Sequence, residues 1–157
     1  MPWTIAIPIL GFANGLRTLT PIAVLCWFAY TGHLHVQGTW AFWTANLASA
    51  IVFTVLALGE YIGDKLPRTP NRTAAGLLAA RIVFGGLVGA IVATSLHLSL
   101  ALGIFLAAIS AIAGAFLGFH LRRSLTATGK LPDLPVALAE DAVTLALAIF
   151  ALHSITT

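Results

Sequence analysis

About five stretches of this chain are apolar over roughly 20 residues, the length that an α-helix needs to cross the hydrocarbon core of a membrane. Hydrophobic residues make up 59% of the 157 residues and charged residues only 8%, whereas a soluble domain carries about 25% charged residues. The runs are continuously apolar rather than alternating, which argues against a transmembrane β-barrel. The sequence therefore predicts an all-α integral membrane protein, with residues 1–157 forming a single transmembrane domain.

The first apolar stretch, Trp3 to Tyr30, is interrupted by Asn14–Pro21, NGLRTLTP. Pro21 lacks a backbone donor and Gly15 weakens the helix beside it, so we expect a broken first helix with Arg17 inside the break. A break at membrane depth requires protein or water to satisfy the freed backbone groups. The other four predicted helices are Trp40–Ile62, Pro70–Leu96 with Thr69 as its N-cap, Ser99–Leu121, and Pro135–His153 with Asp133 as its cap.

Basic residues outside the helices lie in alternate connections. The second connection contains Lys65, Arg68 and Arg72, and the fourth contains or borders Arg122, Arg123 and Lys130. The positive-inside rule places both connections in the cytoplasm. With five spans, the N-terminus is then predicted to be cytoplasmic and the C-terminus outside.

Two similar hexapeptides mark the tips of these predicted cytoplasmic hairpins. KLPRTP at Lys65–Pro70 is followed 65 residues later by KLPDLP at Lys130–Pro135. One interpretation is a duplicated hairpin, which would make the repeat parallel because both tips face the cytoplasm. The other is that Lys and Pro are simply common at such turns. In the common register Arg81 aligns with Ala146, so both interpretations stay open.

Charged residues inside or beside the apolar runs are the main candidates for a site, because insertion of each costs about 2.5–3.5 kcal/mol. One hypothesis is a polar cavity, open to the cytoplasm, whose carboxylates bind a cation or a proton. The other is a buried ion-pair network that fixes helix packing. Adjacent Glu140 and Asp141 cannot both point at one arginine, which favours a functional role. The candidates for transport or ion binding are Arg17, Glu60, Asp64, Arg81, Glu140 and Asp141.

The helix break and the glycines add further candidates. Discontinuous helices present backbone groups to solutes in many transporters, although a structural proline kink is also common. The break residues besides Arg17 are Asn14, Gly15, Thr18, Thr20 and Pro21. Small-residue stripes allow close helix packing, and we expect them to support a homo-oligomer. The stripes include Gly85, Gly89, Gly114 and Gly118.

Other classes of function lack a matching pattern. The net charge of +3 reflects loop residues rather than a nucleic-acid surface. The five histidines form no spaced pair within a predicted span and are interpreted as interfacial anchors, while Trp40 and Trp43 at one interface and Trp3 at the other fit aromatic belts. There is no nucleophile with a base and no phosphate-binding loop. We therefore expect no enzymatic activity and no cofactor, and make no prediction about a metal.

The motifs GLRTLTP, GE…DKLPRTPNR, the run beginning at Arg81 and PD…AED from Pro132 together resemble a family of small bacterial membrane proteins known as a domain of unknown function. The resemblance covers nearly the whole chain and implies a multi-span protein of the bacterial inner membrane. EYIGDK at Glu60–Lys65 also resembles the E-x-G-D-K signature of cation/proton exchangers. One extra residue rotates Glu60 by about 100° relative to Asp64.

These observations predict a small transporter or channel for an inorganic ion or a small polar solute, with proton coupling as one form of the hypothesis. Its expected partners are the lipid bilayer, the solute and further copies of the chain, without nucleic acid. The alternative is a non-transporting membrane factor that binds a lipid or a partner protein, with structural buried charges.

Overall fold

The computed structural model describes residues 1–63, 75–126 and 132–157, and every regular element in these ranges is helical. The described residues form six α-helices, and a short 3₁₀ helix, Phe42–Ala45, precedes the third. Three of them, α4, α5 and α6, are long and apolar enough to span a membrane. The helices are α1 Trp3–Leu16, α2 Thr20–Tyr30, α3 Leu47–Gly63, α4 Ala75–Ser95, α5 Leu100–Thr126 and α6 Asp133–Thr156.

Several predicted helix limits differ from the observed ones. The helix expected from Trp40 begins at Leu47, because the Asn46 side chain accepts a bond from the Ala48 N–H at 2.9 Å and so starts the helix there. The last helix begins at Asp133 rather than Pro135, and Pro132 is its cap residue. Asp133 was predicted as the cap, but its carboxylate binds Arg122 instead. The predicted start at Thr69 and Pro70 lies outside the described residues.

The helix directions define two ends of the bundle. The Met1 amino group bonds the Ser154 carbonyl at 3.1 Å, so α1 begins where α6 ends. Trp40 donates to Thr94 at 2.9 Å, which places the connection after α2 beside the last turn of α4. We call this the terminal end. At the opposite end, the hairpin end, α3 and α5 finish and α4 and α6 begin.

The segment predicted as one broken span is two helices that enter the bundle and return. α1 runs from the terminal end to the break, antiparallel to α6, as the contacts Met1–Ser154 and Arg17–Asp141 show. α2 then runs back beside α3, with Thr20 at Tyr61 and Trp27 at Thr54. With 14 and 11 residues, α1 and α2 are about 21 Å and 17 Å long. Each is shorter than a hydrocarbon core of roughly 30 Å.

This return path changes two sequence expectations. Both termini lie at the terminal end, so the prediction of an N-terminus and a C-terminus on opposite sides is wrong for this fold. Trp3 was expected at the opposite interface from Trp40, but both lie towards the terminal end. The local sequence could not reveal this, because proline and glycine signals are the same for a kink and for a reversal.

Glycines bring α1, α4 and α5 into close contact. A Cβ at Gly11 or Gly15 would overlap backbone atoms of α5, at Ala107 and at Ala111 respectively. Gly89 packs against Gly103 in the same way, which joins α4 to α5. Such contacts hold helices together through close backbone approach where no hydrophobic drive is available. α1 is thereby packed against α5, while residues 20–26 of α2 are all buried, with α3 and α6 as the main neighbours of α2.

The helix break between α1 and α2 as candidate functional site

Arg17, Thr18 and Leu19 form the break, deep inside the bundle. A helix end leaves its last carbonyl groups or its first N–H groups without partners inside the helix. Here the end of α1 and the beginning of α2 meet at one place, so both kinds of group converge. Arg17 and Thr18 are buried, and partners must therefore come from neighbouring helices.

Glu60 of α3 supplies the acceptor for the beginning of α2. Its Oε1 accepts from the Thr18 N–H at 2.7 Å and its Oε2 from the Leu19 N–H at 2.9 Å. A carboxylate at a helix N-terminus is favoured by the helix dipole as well as by these charge-assisted bonds. Pro21 lies in the first turn of α2 and has no N–H to satisfy. Glu60 of α3 thus caps the N-terminus of α2.

Arg81 of α4 supplies the donor for the end of α1. Its Nη1 lies 2.5 Å from the Gly15 carbonyl and 3.5 Å from the Leu16 carbonyl. The side chain is 2% exposed, although its residue stands early in a helix that begins at the hairpin end. A cation at a helix C-terminus is favoured by the dipole. Each helix end at the break is therefore capped by a charge opposite in sign to the dipole at that end, Glu60 at the beginning of α2 and Arg81 at the end of α1.

Arg17 joins the break to two further helices. Its Nη2 lies 2.5 Å from Asp141 Oδ1 of α6, with side-chain exposures of 0% and 11%. Its guanidinium carbon lies 5.5 Å from the centre of the Tyr61 ring of α3, within the range of a cation–π contact. The Tyr61 hydroxyl shares a hydrogen bond of 2.8 Å with Thr20. One arginine thus holds α3 and α6 against the break.

Asn14 adds a polar group to the same part of α1. Its side-chain nitrogen donates to the Leu10 carbonyl at 2.9 Å, and the residue is fully buried against α4, with Gly85 nearby. Its Oδ1 has no hydrogen-bond partner within the described residues. A buried acceptor of this kind is costly unless water or a ligand reaches it.

Contacts place four of the six predicted charges at the break, namely Arg17, Glu60, Arg81 and Asp141. Glu140 is one of the residues that line a pocket between α5 and α6, next to Phe12 and Leu16 of α1, and Asp64 lies outside the described residues. Gly85, Gly89 and Gly114 form contacts between helices of one chain, and Gly118 lines the Glu140 pocket. These glycines were expected to support a homo-oligomer. Gly85, Gly89 and Gly114 are already used for contacts within one chain, so they do not support a homo-oligomer. The homo-oligomer stays a prediction.

Sequence reasoning missed Tyr61, which contacts both Arg17 and Thr20. Its position next to Glu60 could have indicated it, because neighbouring residues at the end of one helix lie near the same part of the fold. Within the described ranges, no group of three or more His, Cys, Asp or Glu side chains is placed to hold a metal ion.

The break can therefore be described chemically as two arginines, two carboxylates and a tyrosine around two buried, capped helix ends. No curated protein and no solved structure matches the chain. A family model does match, over residues 5–154, which is nearly the whole chain. The protein belongs to the family described as a domain of unknown function, DUF4126.

Proposed function

We propose that this protein is a small membrane transporter or channel for an inorganic ion or a small polar solute, with a pathway that passes the helix break. The observation that carries the proposal is the break itself, where two short helices meet at buried charges. Non-helical backbone at membrane depth occurs where it is buried in protein or lines a water-filled cavity. Half-helix ends of this kind form the solute sites of many transporters.

The proposal includes a topology for a bacterial inner membrane. α3, α4, α5 and α6 cross the bilayer, while α1 and α2 enter it and return. The basic residues of the two connections then place the hairpin end in the cytoplasm and both termini outside. Fusions of a reporter after Lys65 and after His97 should report opposite sides. A fusion after Thr157 should agree with the one after His97.

A pathway through the break would start at the hairpin end. Asp141 lies eight residues after Asp133, which puts it about 12 Å from the start of α6. Glu60 lies three residues before the described end of α3 and is partly exposed. Carboxylates near the cytoplasmic face can exchange protons with that side, so coupling of the solute to a proton would act through Glu60 or Asp141.

Flux measured in liposomes tests the proposal. Purified protein should move at least one member of a panel of inorganic ions, and Glu60→Gln should reduce the flux because it removes the charge that caps α2. Asp133→Asn is the matched control, since the Asp133 side chain is 58% exposed and lies at the start of α6, about 12 Å from Asp141 along the helix. No flux for the whole panel, or equal flux in Glu60→Gln and the wild type, would contradict the proposal.

A specific observation also supports the alternative, a membrane factor without transport. The helix ends at the break are capped by Glu60 of α3 and Arg81 of α4, so these charges have a structural role that needs no solute. The pocket beside Glu140 would then be the place where a lipid or partner binds. A folded protein without flux, but with a bound molecule in that pocket, would favour this alternative.

A further inference from the structure

A pocket of about 230 Å³ lies between α5 and α6, beside the last turns of α1. Leu117, Leu121 and Leu125 line it along α5 at four-residue spacing, a stripe about 12 Å long. Phe12 and Leu16 line it from α1. α5 and α6 are both long and apolar enough to span a membrane, so the pocket lies between two candidate membrane spans.

The lining of this pocket presents almost no polar surface, although two charged residues belong to it. Glu140 already interacts with another part of the protein, and its Oε2 is buried. Arg122 is bound to both carboxylate oxygens of Asp133, at 2.8 and 2.6 Å. An ion or a lipid headgroup would lose its hydration in the pocket without gaining a partner, whereas an uncharged hydrocarbon chain matches the lining.

The pocket opens on the outer surface of the helix bundle. Leu117, Leu121 and Val143 line it and are 57%, 56% and 51% exposed. The proposed topology, in which α5 and α6 cross the bilayer, turns this surface towards lipid. A chain dissolved in the bilayer can therefore enter between the two helices without crossing the protein.

A second copy of this chain fits the pocket less well than a lipid does. A stable protein interface buries about 800 Å² on each partner. A pocket with a wall about 12 Å long offers only a small part of that area. A single hydrocarbon chain, in contrast, is narrow enough to lie along the stripe of leucines and to contact α1 behind it.

We propose that a hydrocarbon chain of a bilayer lipid occupies this pocket and packs against Leu16, the last residue of α1. Leu16 is 6% exposed and precedes Arg17, so the chain completes the packing around the end of α1 where α5 and α6 are apart. An empty pocket would leave its lining without these contacts. The inference rests on the proposed membrane topology and not on transport.

Photolabelling in nanodiscs tests the proposal. The probe is phosphatidylcholine that carries a diazirine in one acyl chain, and labelled residues are identified by mass spectrometry of peptides. Label should appear at Leu16, which the surrounding bilayer reaches only through the pocket. Val55 of α3 is 61% exposed and should be labelled by the surrounding lipid in every variant. Phosphatidylglycerol with the same chains should label Leu16 equally, because the pocket selects the chain and not the headgroup.

Two tryptophan variants locate the chain. Ala139→Trp fills the pocket lining and should abolish the label at Leu16 while leaving the label at Val55. Ala142→Trp lies on the exposed surface of the same helix outside the lining and should behave like the wild type.

Four results would overturn the proposal. They are a wild type labelled at Val55 but not at Leu16, a label at Leu16 that persists in Ala139→Trp, a strong preference for phosphatidylglycerol, and an unlabelled Leu16 in a protein that elutes as a dimer. Absence of label at Val55 as well would overturn the proposed topology together with this inference. The expected labelling in a protein without ion flux would overturn transport alone and would support the lipid chain.

Discussion

Two arginine–aspartate ion pairs tie α6 to other parts of the fold, and they differ in how far their side chains are buried. Arg17–Asp141 and Arg122–Asp133 have closest distances of 2.5 and 2.6 Å. The side chains of the first pair are 0% and 11% exposed, and those of the second 17% and 58%. The closest distances are therefore similar, whereas the burial of the charges differs, and Arg122 contacts both carboxylate oxygens of Asp133.

The difference teaches where this fold depends on charge. An exposed pair contributes about 0–1 kcal/mol, because water competes for both partners. A buried pair gains little over an apolar pair of equal volume, yet loss of one partner leaves a charge without compensation. Arg17 also lies between helix ends that Glu60 and Arg81 cap, so its loss would affect the position of the break.

The largest effect should follow from Asp141→Asn, which removes the negative charge from the ion pair with the buried Arg17. We expect a loss of about 3–5 kcal/mol in the free energy of unfolding, measured by titration with a denaturing detergent. The double variant Arg17→Met with Asp141→Leu removes both charges and should be clearly more stable than Asp141→Asn. A double variant that is less stable than the single one would show that the charges themselves are required.

The next effect concerns Glu60, which joins α3 to the beginning of α2. Glu60→Gln keeps the shape but removes the charge from the bonds to Thr18 and Leu19, and one of these bonds then faces an amide NH₂ group. We expect a loss of about 1.5–3 kcal/mol, the usual contribution of hydrogen bonds to a charged group. Glu60→Asp retains the charge on a shorter side chain and should recover part of the lost free energy of unfolding.

Hydrogen exchange at the Thr18 and Leu19 amides provides a local measurement for the same variant. Faster exchange in Glu60→Gln, with unchanged exchange in the middle of α5, would assign the effect to the cap. Equal protection of these amides in both proteins would show that the carboxylate does not hold the beginning of α2.

The sequence predicted the break and the cluster of charged candidates, and the structure shows why it could not predict their arrangement. Arg17 and Pro21 stand out locally, because charges and prolines are rare in apolar segments. The pairing of Arg81 with the Gly15 carbonyl joins residues 66 positions apart. Nothing in the order of residues indicates which helix a guanidinium or carboxylate will reach after folding.

The direction of α2 shows most clearly what the sequence alone could not predict. The apolar length from Trp3 to Tyr30 fits one tilted or kinked span as well as two short helices. The choice depends on tertiary contacts, since Thr20 and Trp27 bond α3 in an antiparallel arrangement. The functional role of the charged candidates stays a prediction, because contact geometry fits both a capped scaffold and a solute path.

A third prediction compares two glycines in place of two ion pairs. Gly15→Ala puts a Cβ against the backbone of α5, while Gly59→Ala meets nothing within 4 Å. Overpacking of a close helix contact costs about 1–3 kcal/mol. Gly59→Ala should be neutral or slightly stabilising, because alanine favours a helix by about 1 kcal/mol over glycine. Equal melting temperatures for the two variants would mean that α1 and α5 separate easily.

The smallest effect should be that of Asp133→Asn, the exposed counterpart of Asp141→Asn. Its carboxylate receives two bonds from Arg122 but is open to solvent, so we expect a loss of about 0–1 kcal/mol. The charge pair is also screened by salt, and the difference from the wild type should shrink as ionic strength rises from 0.1 M towards 1 M, where the Debye length falls from about 10 to 3 Å. The effect of Asp141→Asn should change little over the same range, because buried pairs are screened much less. A large, salt-independent loss in Asp133→Asn would mean that the hairpin-end pair is also shielded from solvent, and burial would then no longer distinguish the two pairs.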